Sequence, residues 1–338
     1  MTAASLVKSG ARNGLQPVDL ARHLGGLAEL VELCFGNELE AGARGIIREM
    51  KWLSRAGPLL RLLPLLPGQQ TWNLGYVWVE DGRVIGSVST QRAAPRSRTW
   101  LVANVAVHPD HRRRGIARQL MQATLDHIRG QDGAEAILQV DDDNLGAISL
   151  YRQLGFARVT TRMNWTRPGY AAPPAYEPAP VDIRLRERGE WAAQYGLARR
   201  VTPEGLAWSK PLREADFRTT PLAFLDHLVT GRYVEHWVAQ APPTPPAPLP
   251  KREGGDIVGS ITVNTGTADG DRLQLLVHPD WRGKLERPLL ARGLRRLGRR
   301  PWVARLEYDA EDGETAQVLR DLGFQGGRML RWMRAELR

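Results

Sequence analysis

Apolar residues recur every three to four positions in two early segments, Leu20–Cys34 and Glu38–Leu53, and this spacing predicts two helices. The pattern then changes to runs rich in β-branched and aromatic residues, which predict antiparallel strands at residues 76–80, 84–90 and 100–108. Asp81-Gly82 lies between the first two runs and is typical of a hairpin turn. The N-terminal part is therefore predicted to be two helices followed by a sheet.

Pro109 ends the third predicted strand, and a helical face of apolar residues follows it. That face consists of Ile116, Ala117, Leu120, Met121, Thr124 and Ile128. A strand at 136–140, a helix capped by Asn144 and ending before Gly155, and a strand at 156–165 complete the first half. The pattern predicts the α/β class, with a mixed, mostly antiparallel, twisted sheet flanked by helices.

The second half of the chain repeats the first. Three short blocks occur twice in the same order and at nearly constant spacing: VIGSV at 84 with IVGSI at 257, VHPD at 107 and 277, and LGF at 154 and 322. Such self-similarity indicates a tandem duplication. We therefore expect two domains with the same fold.

Two stretches are rich in proline, residues 167–181 and 241–250. Proline fixes φ and lacks a backbone N–H, so neither stretch suits a helix or an interior strand. The first lies at the midpoint of the chain and is predicted to be a linker, and the second a long loop between strands. The predicted organisation is a first domain at 1–166, the linker at 167–181 and a second domain at 182–338.

Length and composition fit this organisation, since 338 residues suit two cores. Cys34 is the single cysteine, so no internal disulfide is expected and its thiol is interpreted as structural. The N-terminal residues lack the apolar core of a secretory signal, and no apolar run approaches the roughly 20 residues that cross a bilayer. These features predict a cytoplasmic protein with no membrane partner.

The net charge of +10 comes almost entirely from arginine. A basic surface favours anionic partners, although coding bias in a GC-rich genome is the favoured explanation for so arginine-rich a composition. Six arginines raise the hypothesis of nucleic-acid binding: Arg287, Arg292, Arg295, Arg296, Arg299 and Arg300. They lie on a predicted helix and at its end, where a solvated basic face is the usual explanation, so nucleic acid is not an expected partner.

The most informative segment joins the strand ending at His108 to the helix starting near Gly115. A glycine-containing turn at a helix N-terminus presents unpaired N–H groups at the positive end of the helix dipole, which suits a pyrophosphate. Gly115 and Ala117 permit close approach of phosphates, and positive charge comes from Arg112, Arg113, Arg114 and Arg118. By itself, the turn is equally compatible with a solvated helix start.

Two blocks give this turn its context. Residues 105–117, VAVHPDHRRRGIA, resemble the acetyl-CoA-binding motif of the GNAT N-acetyltransferase superfamily, whose core is Q/R-x-x-G-x-G/A after a strand. Residues 144–156, NLGAISLYRQLGF, resemble the second block of that family, N-x-x-A-x-x-x-Y-x-x-x-G-F. The resemblance spans residues 1–166, and its specific motifs lie at 104–156.

The resemblance implies a fold of two tandem GNAT-like domains and a site for acetyl-CoA as co-substrate, without a metal. Backbone groups at 105–107 would pair with the pantetheine arm as with an added strand, and those at 112–117 would bind the pyrophosphate. Asn144 would contact the pantetheine or the acyl end. The cofactor-binding residues implied in this way are Val105, Ala106, Val107, Arg112, Arg113, Arg114, Gly115, Ile116, Ala117, Arg118, Asn144 and Ala147.

The resemblance also assigns Tyr151 the role of general acid. The implied reaction is direct attack of a neutral amine on the thioester, after which Tyr151 protonates the departing thiolate. A tyrosine with an ordinary pKa near 10 holds that proton at neutral pH. Packing against the sheet is the alternative role for Tyr151, and a plain helix N-cap is the alternative for Asn144.

The general base is not assigned. Many family members place a glutamate on the strand before the turn, but residues 99–105 contain no carboxylate. Asn104 is a candidate for orienting a water, and candidates for a base from nearby segments are Glu38, Glu40 and His108.

The second half departs from both motifs. The replacements are Leu285 for Gly115, Arg287 for Ala117, Asp312 for Asn144 and Leu319 for Tyr151. Bulky side chains and the negative charge of Glu286 would obstruct phosphate binding. The second domain is therefore predicted to be a GNAT-like fold without catalytic function.

The leading hypothesis is an acetyl-CoA-dependent N-acetyltransferase that acts on a small-molecule amine or a peptide amine. A non-catalytic acyl-CoA-binding sensor or scaffold is the alternative, motivated by the missing carboxylate. The acceptor is not specified by the sequence, and the regions expected to determine it are 33–72 and 157–166. We expect a monomer or a homodimer.

Overall fold

The computed structural model describes residues 13–36, 41–55, 75–94, 96–202, 206, 212, 214–218, 233–242, 256–267 and 270–337. Contacts between Cα atoms divide the chain into two compact units. Residues 1–138, 149–156 and 334–338 form the first unit, and residues 139–148 and 157–333 form the second. No helix in the described part of the chain is long and apolar enough to span a membrane.

Both predicted N-terminal helices are present. Helix α1 spans Leu20–Phe35, and its first turn is capped by Asp19, whose carboxylate accepts a hydrogen bond from the Ala21 N–H at 2.9 Å. Its buried side chains recur at helical spacing: His23, Leu24, Ala28 and Leu30. Helix α2 spans Ala41–Leu53, and residues 38–40 of the predicted segment lie outside the described residues.

In the described part of the chain, the strands of the first unit lie side by side in the order β1-β2-β3-β4-β5. Their bounds are β1 Gly14–Pro17, β2 Tyr76–Glu80, β3 Arg83–Arg92, β4 Thr99–Val107 and β5 Glu135–Asp141. Strands β2, β3 and β4 are antiparallel as predicted, whereas β1 was not predicted and pairs antiparallel with β2. Helix α3, Ile116–Gly130, connects β4 to the parallel strand β5.

Helix α3 covers one face of this sheet with a fully buried stripe that includes Leu120, Met121 and Leu125. Gly86 on β3 faces it closely, since a Cβ atom at that position would lie 2.9 Å from Ile116 Cγ2. The apolar face read from the sequence is therefore the core face of α3, and close packing on the sheet fixes where the N-terminus of α3 lies.

The second unit repeats this arrangement. After the first half ends with α4, Leu145–Gln153, its strands are β6 Ala157–Arg167, β7 Asp182–Leu185, β8 Val234–Gln240, β9 Ile257–Thr267, β10 Gly270–Val277 and β11 Ala304–Asp309. Its helices are α5 Trp191–Val201, α6 Glu214–Phe217, α7 Glu286–Leu297 and α8 Gly313–Asp321. Strand β10 is antiparallel to β9 and parallel to β11, with α7 between them along the chain, as in the first unit. The duplication is thus visible in topology.

The last strand of each sequence repeat does not lie wholly in the compact unit formed by the rest of that repeat. Strand β6 belongs to the first repeat, yet it pairs antiparallel with β11 from Arg167↔Ala304 to Arg162↔Asp309. Strand β12, Gln325–Glu336, ends in the first unit, where the Leu337 N–H donates to the Ala134 carbonyl at 2.8 Å. The two compact units therefore have other bounds than the predicted domains 1–166 and 182–338. The alternation of apolar and polar residues along a strand indicates which face is buried, but it does not indicate which strand lies beside it.

The midpoint prolines form neither helix nor strand, in agreement with the sequence pattern. Arg167, at the end of β6, is buried and anchors this stretch: its guanidinium donates to the Leu322 carbonyl at 2.8 Å and to the Ala172 carbonyl at 2.5 Å. Burial lowers the pKa of Arg167. Most of the second proline-rich stretch, residues 243–250, lies outside the described residues.

Candidate active site at the turn between β4 and α3

The turn after β4 has a backbone conformation suited to an anion. Two of its residues are left-handed, with φ of 62° at Arg113 and 77° at Gly115. No backbone carbonyl in the described part of the chain accepts from the N–H groups of Arg113, Arg114 or Gly115. A positive φ at every second residue turns successive backbone N–H groups to the same side of the chain. Here they lie next to the free N–H groups of the first turn of α3.

The turn is also open. A Cβ atom built on Gly115 would meet nothing within 4 Å. An approaching group can therefore reach the backbone itself, and a left-handed φ at this position favours glycine. The arrangement fits a pyrophosphate by donor count, dipole direction and free space.

The four arginines of the turn have different surroundings. Arg112 Nε donates to the Val107 carbonyl at 3.2 Å, Arg114 Nη2 pairs with Glu80 at 2.9 Å, and Arg118 donates to Gln153. Arg113 is exposed and has no polar partner in the described part of the chain. Its guanidinium is therefore the one of the four with all of its N–H donors available to an anion.

Beside this turn, no described strand pairs with one edge of β4. Strand β4 pairs with β5 only from Thr99 to Val102, opposite residues 135–138. The predicted pantetheine segment, Val105 to Val107, lies beyond that register and still pairs with β3 on its other edge. Backbone groups on such an edge can receive an added extended segment.

A β-bulge lies where β4 parts from β5. The register passes from Ser89↔Ala103 to Ser87↔Ala106, so Asn104 and Val105 together face Val88. Asn104 has φ of 51°, a left-handed value that asparagine tolerates better than most residues. Ser87 Oγ donates to the Asn104 carbonyl at 3.1 Å and helps to hold the bulge.

Tyr151 lies on α4 and is only 5% exposed. Its ring packs against Phe156 with centroids 6.0 Å apart, and no described residue hydrogen-bonds its hydroxyl. Burial raises the pKa of Tyr151 to about 12. The phenol therefore remains protonated at neutral pH, and packing and proton donation are compatible with each other.

Asn144 and Ala147 lie at the start of α4 and contact each other. Asn144 Oδ1 accepts from the Ala147 N–H at 3.1 Å, so Asn144 is an N-cap as the sequence allowed. In the same unit, Asp141 pairs with Arg328 and Asp142 with Arg331. The two carboxylates that precede Asn144 are thus neutralised by arginines of β12.

The candidates for a base have different surroundings. His108 Nδ1 accepts from the Asp110 N–H at 3.3 Å, which makes His108 a local cap. Asn104 Nδ2 donates to Ser89 Oγ at 2.9 Å. Glu38 and Glu40 lie outside the described residues.

Two other contacts of the site were not predicted. Glu80 pairs with Arg114, and Ser89 contacts Asn104, because hairpin pairing brings β2, β3 and β4 together. Both contacts depend on which residues of neighbouring strands lie opposite each other. The pairing of β3 with β4 includes a bulge, which the sequence pattern does not indicate. Cys34 Sγ lies 3.6 Å from the Val107 carbonyl, and burial raises the pKa of this thiol, which agrees with a structural role.

The corresponding turn of the second unit is closed. Gly283 keeps a left-handed φ of 75°, but Leu285 has φ of −108° and the Lys284 N–H donates to the Trp281 carbonyl at 3.2 Å. Leu285 is 0% exposed and Glu286 is 1% exposed. Neither oxygen of the Glu286 carboxylate has a hydrogen-bond partner among the described residues. Burial raises the pKa of Glu286, and the nearby backbone of Gly283 and Leu285 only partly offsets this rise.

Four of the six arginines on α7 and just after it contact other side chains of the protein. Arg287 pairs with Asp321, Arg296 with Glu235, and Arg300 with Asp271, while Arg292 stacks on Trp237 at 4.5 Å. A phosphate-binding face requires guanidinium groups that are available. These contacts favour the solvated, internally paired face over a nucleic-acid surface. Among the described residues, no group of three or more His, Cys, Asp or Glu side chains could hold a metal ion.

Comparison with known proteins finds a family and several relatives that resemble the segment containing this site. Residues 47–156 match the Acetyltransferase (GNAT) family. N-alpha-acetyltransferase 30 of Schizosaccharomyces pombe is 34% identical over 85 residues, which cover 25% of this chain and 57% of that relative. The match thus spans little more than half of the relative's length.

Two other proteins are similar over most of the chain. Mycothiol acetyltransferase of Thermobifida fusca is 28% identical over 289 residues, covering 79% of this chain and 84% of that protein. A tandem GNAT protein from the clavulanic acid biosynthesis pathway superimposes with a TM-score of 0.52 and 18% identity, over 96% of this chain and 98% of that one. The structural likeness supports a fold of two GNAT-like halves.

Proposed function

We propose that the first half of the chain, in which residues 47–156 match the Acetyltransferase (GNAT) family, transfers an acetyl group from acetyl-CoA to a primary amine. The observation that carries this proposal is the turn at 112–117, with two left-handed residues, free N–H groups and open space at Gly115. The unpaired edge of β4 beyond Val102 would hold the pantetheine arm beside it.

Acetyl-CoA supplies the thioester whose carbonyl carbon is attacked. The amine nitrogen forms a bond to that carbon, the carbon–sulfur bond breaks, and the surplus proton of the nitrogen passes to water. Tyr151 gives its phenolic proton to the departing sulfur and regains one from solvent. Burial raises the pKa of Tyr151, so the phenol holds its proton at neutral pH and has it available when negative charge develops on the sulfur.

The second half is proposed to be non-catalytic. Its turn has one left-handed residue where the first has two, and Leu285 and Glu286 occupy the space that a phosphate would need. Leu319, which replaces Tyr151, is 0% exposed and has no proton to donate. One acetyl-CoA would therefore bind per chain.

The acceptor class is suggested by the relatives. The name of one refers to α-amines and the name of the other to mycothiol, so peptide and small-molecule amines are both candidates. Release of free thiol from acetyl-CoA, measured across a panel of amines and peptides, tests the proposal. Turnover with at least one amine supports it, whereas acetyl-CoA binding without any thiol release favours the alternative of a non-catalytic sensor.

A further inference from the structure

A pair of neutral side chains, Ser89 and Asn104, lies at the β4 bulge. Asn104 Nδ2 donates to Ser89 Oγ at 2.9 Å, and Ser89 Oγ donates to the Ala103 carbonyl at 3.0 Å. Because the single hydroxyl proton of Ser89 is used on Ala103, its oxygen can only accept from Asn104. The network therefore requires the NH₂ group of the carboxamide to face Ser89, and its Oδ1 to face away.

Asn104 Oδ1 is left available by this orientation. No described residue donates a hydrogen bond to it, and the Asn104 side chain is exposed. Asn104 precedes Val105, the first residue of the segment proposed to pair with pantetheine. Ser87 Oγ hydrogen-bonds the backbone carbonyl of Asn104, and Ser89 Oγ hydrogen-bonds its side chain. Two serines of β3 thus fix both the backbone and the side chain of this asparagine.

We propose that Asn104 binds the acceptor amine through Oδ1 and that Ser89 is a positioning residue that fixes this oxygen. The inference rests on the proposed acetyltransferase function. A neutral primary amine has two N–H donors and one lone pair, so one N–H can bind Oδ1 while the lone pair remains free to attack. An ammonium group also donates to Oδ1, but it has no lone pair.

The chemistry of a carboxamide determines the class of acceptor. An amide oxygen accepts a hydrogen bond but is far too weak a base to deprotonate an ammonium group. Asn104 therefore suits an amine that is already neutral in solution. At pH 7.5 about a third of an α-amine with a pKa of 7.7–8.0 is neutral, against about 0.1% of a lysine ε-amine with a pKa near 10.4, a difference of roughly 250-fold. We expect the acceptor to carry an α-amine.

Asn104→Gly tests the contact without straining the bulge, since glycine accepts the left-handed φ of 51° and lacks only the carboxamide. Arg96→Gly is the matched control, because Arg96 is another exposed left-handed residue of the first unit, in the loop between β3 and β4. The substrate is a short peptide with a free α-amine. Affinity for acetyl-CoA, measured by titration, reports whether each variant is folded.

In Asn104→Gly, kcat/KM for the peptide should fall roughly tenfold, the size expected for one lost hydrogen bond, while the Kd of acetyl-CoA stays within twofold. Ser89→Ala should lower kcat/KM for the peptide by about fivefold. Ser89→Thr keeps the hydroxyl and should have a kcat/KM close to that of the wild type. Asn104→Asp should move the acidic limb of the pH profile to lower pH, because a carboxylate, unlike a carboxamide, can accept the surplus proton of a bound ammonium group. A merely structural role for Asn104 would not shift that limb.

The wild-type profile tests the acceptor class. For the α-amine peptide, kcat/KM should rise with pH and level off above about pH 8, and an Nα-acetylated lysine peptide should be at least a hundredfold poorer at pH 7.5. Wild-type turnover with kcat/KM unchanged in Asn104→Gly, or an equal rate on the lysine peptide, would overturn this inference alone. Absence of wild-type turnover with every amine would contradict the proposed function together with it.

Discussion

Gly115 and Leu285 stand at equivalent positions of the two duplicated turns, yet φ is 77° at Gly115 and −108° at Leu285. The difference changes which way the following N–H groups point and whether the turn is open. Adding a Cβ at Gly115 meets only empty space, whereas the Leu285 side chain is fully buried. The backbone conformation at this one position thus distinguishes the open turn from the closed one, and Glu286 and Arg287 add to the difference.

Leu285→Gly should not create a second cofactor site. Glu286 would still place its carboxylate at the N-terminus of α7, where it repels phosphate, and Arg287 would still replace the small Ala117. Titration of acetyl-CoA should therefore give one site per chain in this variant, as in the wild type. A second site of comparable affinity would contradict the proposed reason for the loss.

Tyr151→Phe should lower kcat on the order of 100-fold, the usual size of a general-acid contribution, and leave the Kd of acetyl-CoA nearly unchanged. Because burial raises the pKa of Tyr151 to about 12, the wild-type phenol stays protonated up to about pH 10.5. No basic limb from Tyr151 is therefore expected in kcat below that pH. A kcat equal to that of the wild type would remove Tyr151 from its role.

Arg113→Gly should weaken acetyl-CoA binding roughly tenfold at low salt, because it removes a charge-assisted contact to phosphate while keeping the left-handed φ. The effect should shrink as salt is added. Arg96→Gly, the same replacement at a left-handed arginine distant along the chain, is the control and should leave the Kd unchanged. Equal losses in both variants would exclude a specific role for Arg113.

Glu286→Gln should stabilise the fold at neutral pH by roughly 1–3 kcal/mol, because burial disfavours the charged carboxylate and the neutral carboxamide lacks that charge. Burial raises the pKa of Glu286 in the folded state, so its contribution is favourable below the unfolded pKa and is lost as pH rises through the folded pKa. The gain in Tm of the variant should therefore diminish as the pH is lowered into the acidic range. A gain that is the same at all pH values would contradict a buried, titrating carboxylate.

Much of this architecture could be predicted from the sequence, for a physical reason. The periodicity of α3 and the β-rich runs around Asp81-Gly82 are local, and the repeats of VHPD and LGF disclose the duplication directly. The partner of β6 could not be predicted, because its pattern of apolar and polar residues would suit a position beside a strand of either repeat. The bulge at Asn104 and the contact with Ser89 also depend on register between strands, which a single sequence does not disclose.

In the candidate site, too, the local features were predictable and the contacts between distant residues were not. Gly115 and Arg113 lie in one continuous turn, so their conformation follows from local chemistry. Which arginine would be free was not predictable, since Arg114 is engaged by Glu80 on β2 and Arg118 by Gln153 on α4. Partners distant in sequence, and not the arginines themselves, determine which charge is available.

Titration of acetyl-CoA into the wild type, Gly115→Glu and Gly130→Glu tests the central claim most directly. Gly130 lies at the opposite end of α3, is exposed and also has open space around its Cβ position, so it receives the same bulk and charge away from the turn. The account predicts one site per chain in the wild type and in Gly130→Glu, and no measurable binding in Gly115→Glu. Unchanged affinity in Gly115→Glu would contradict it.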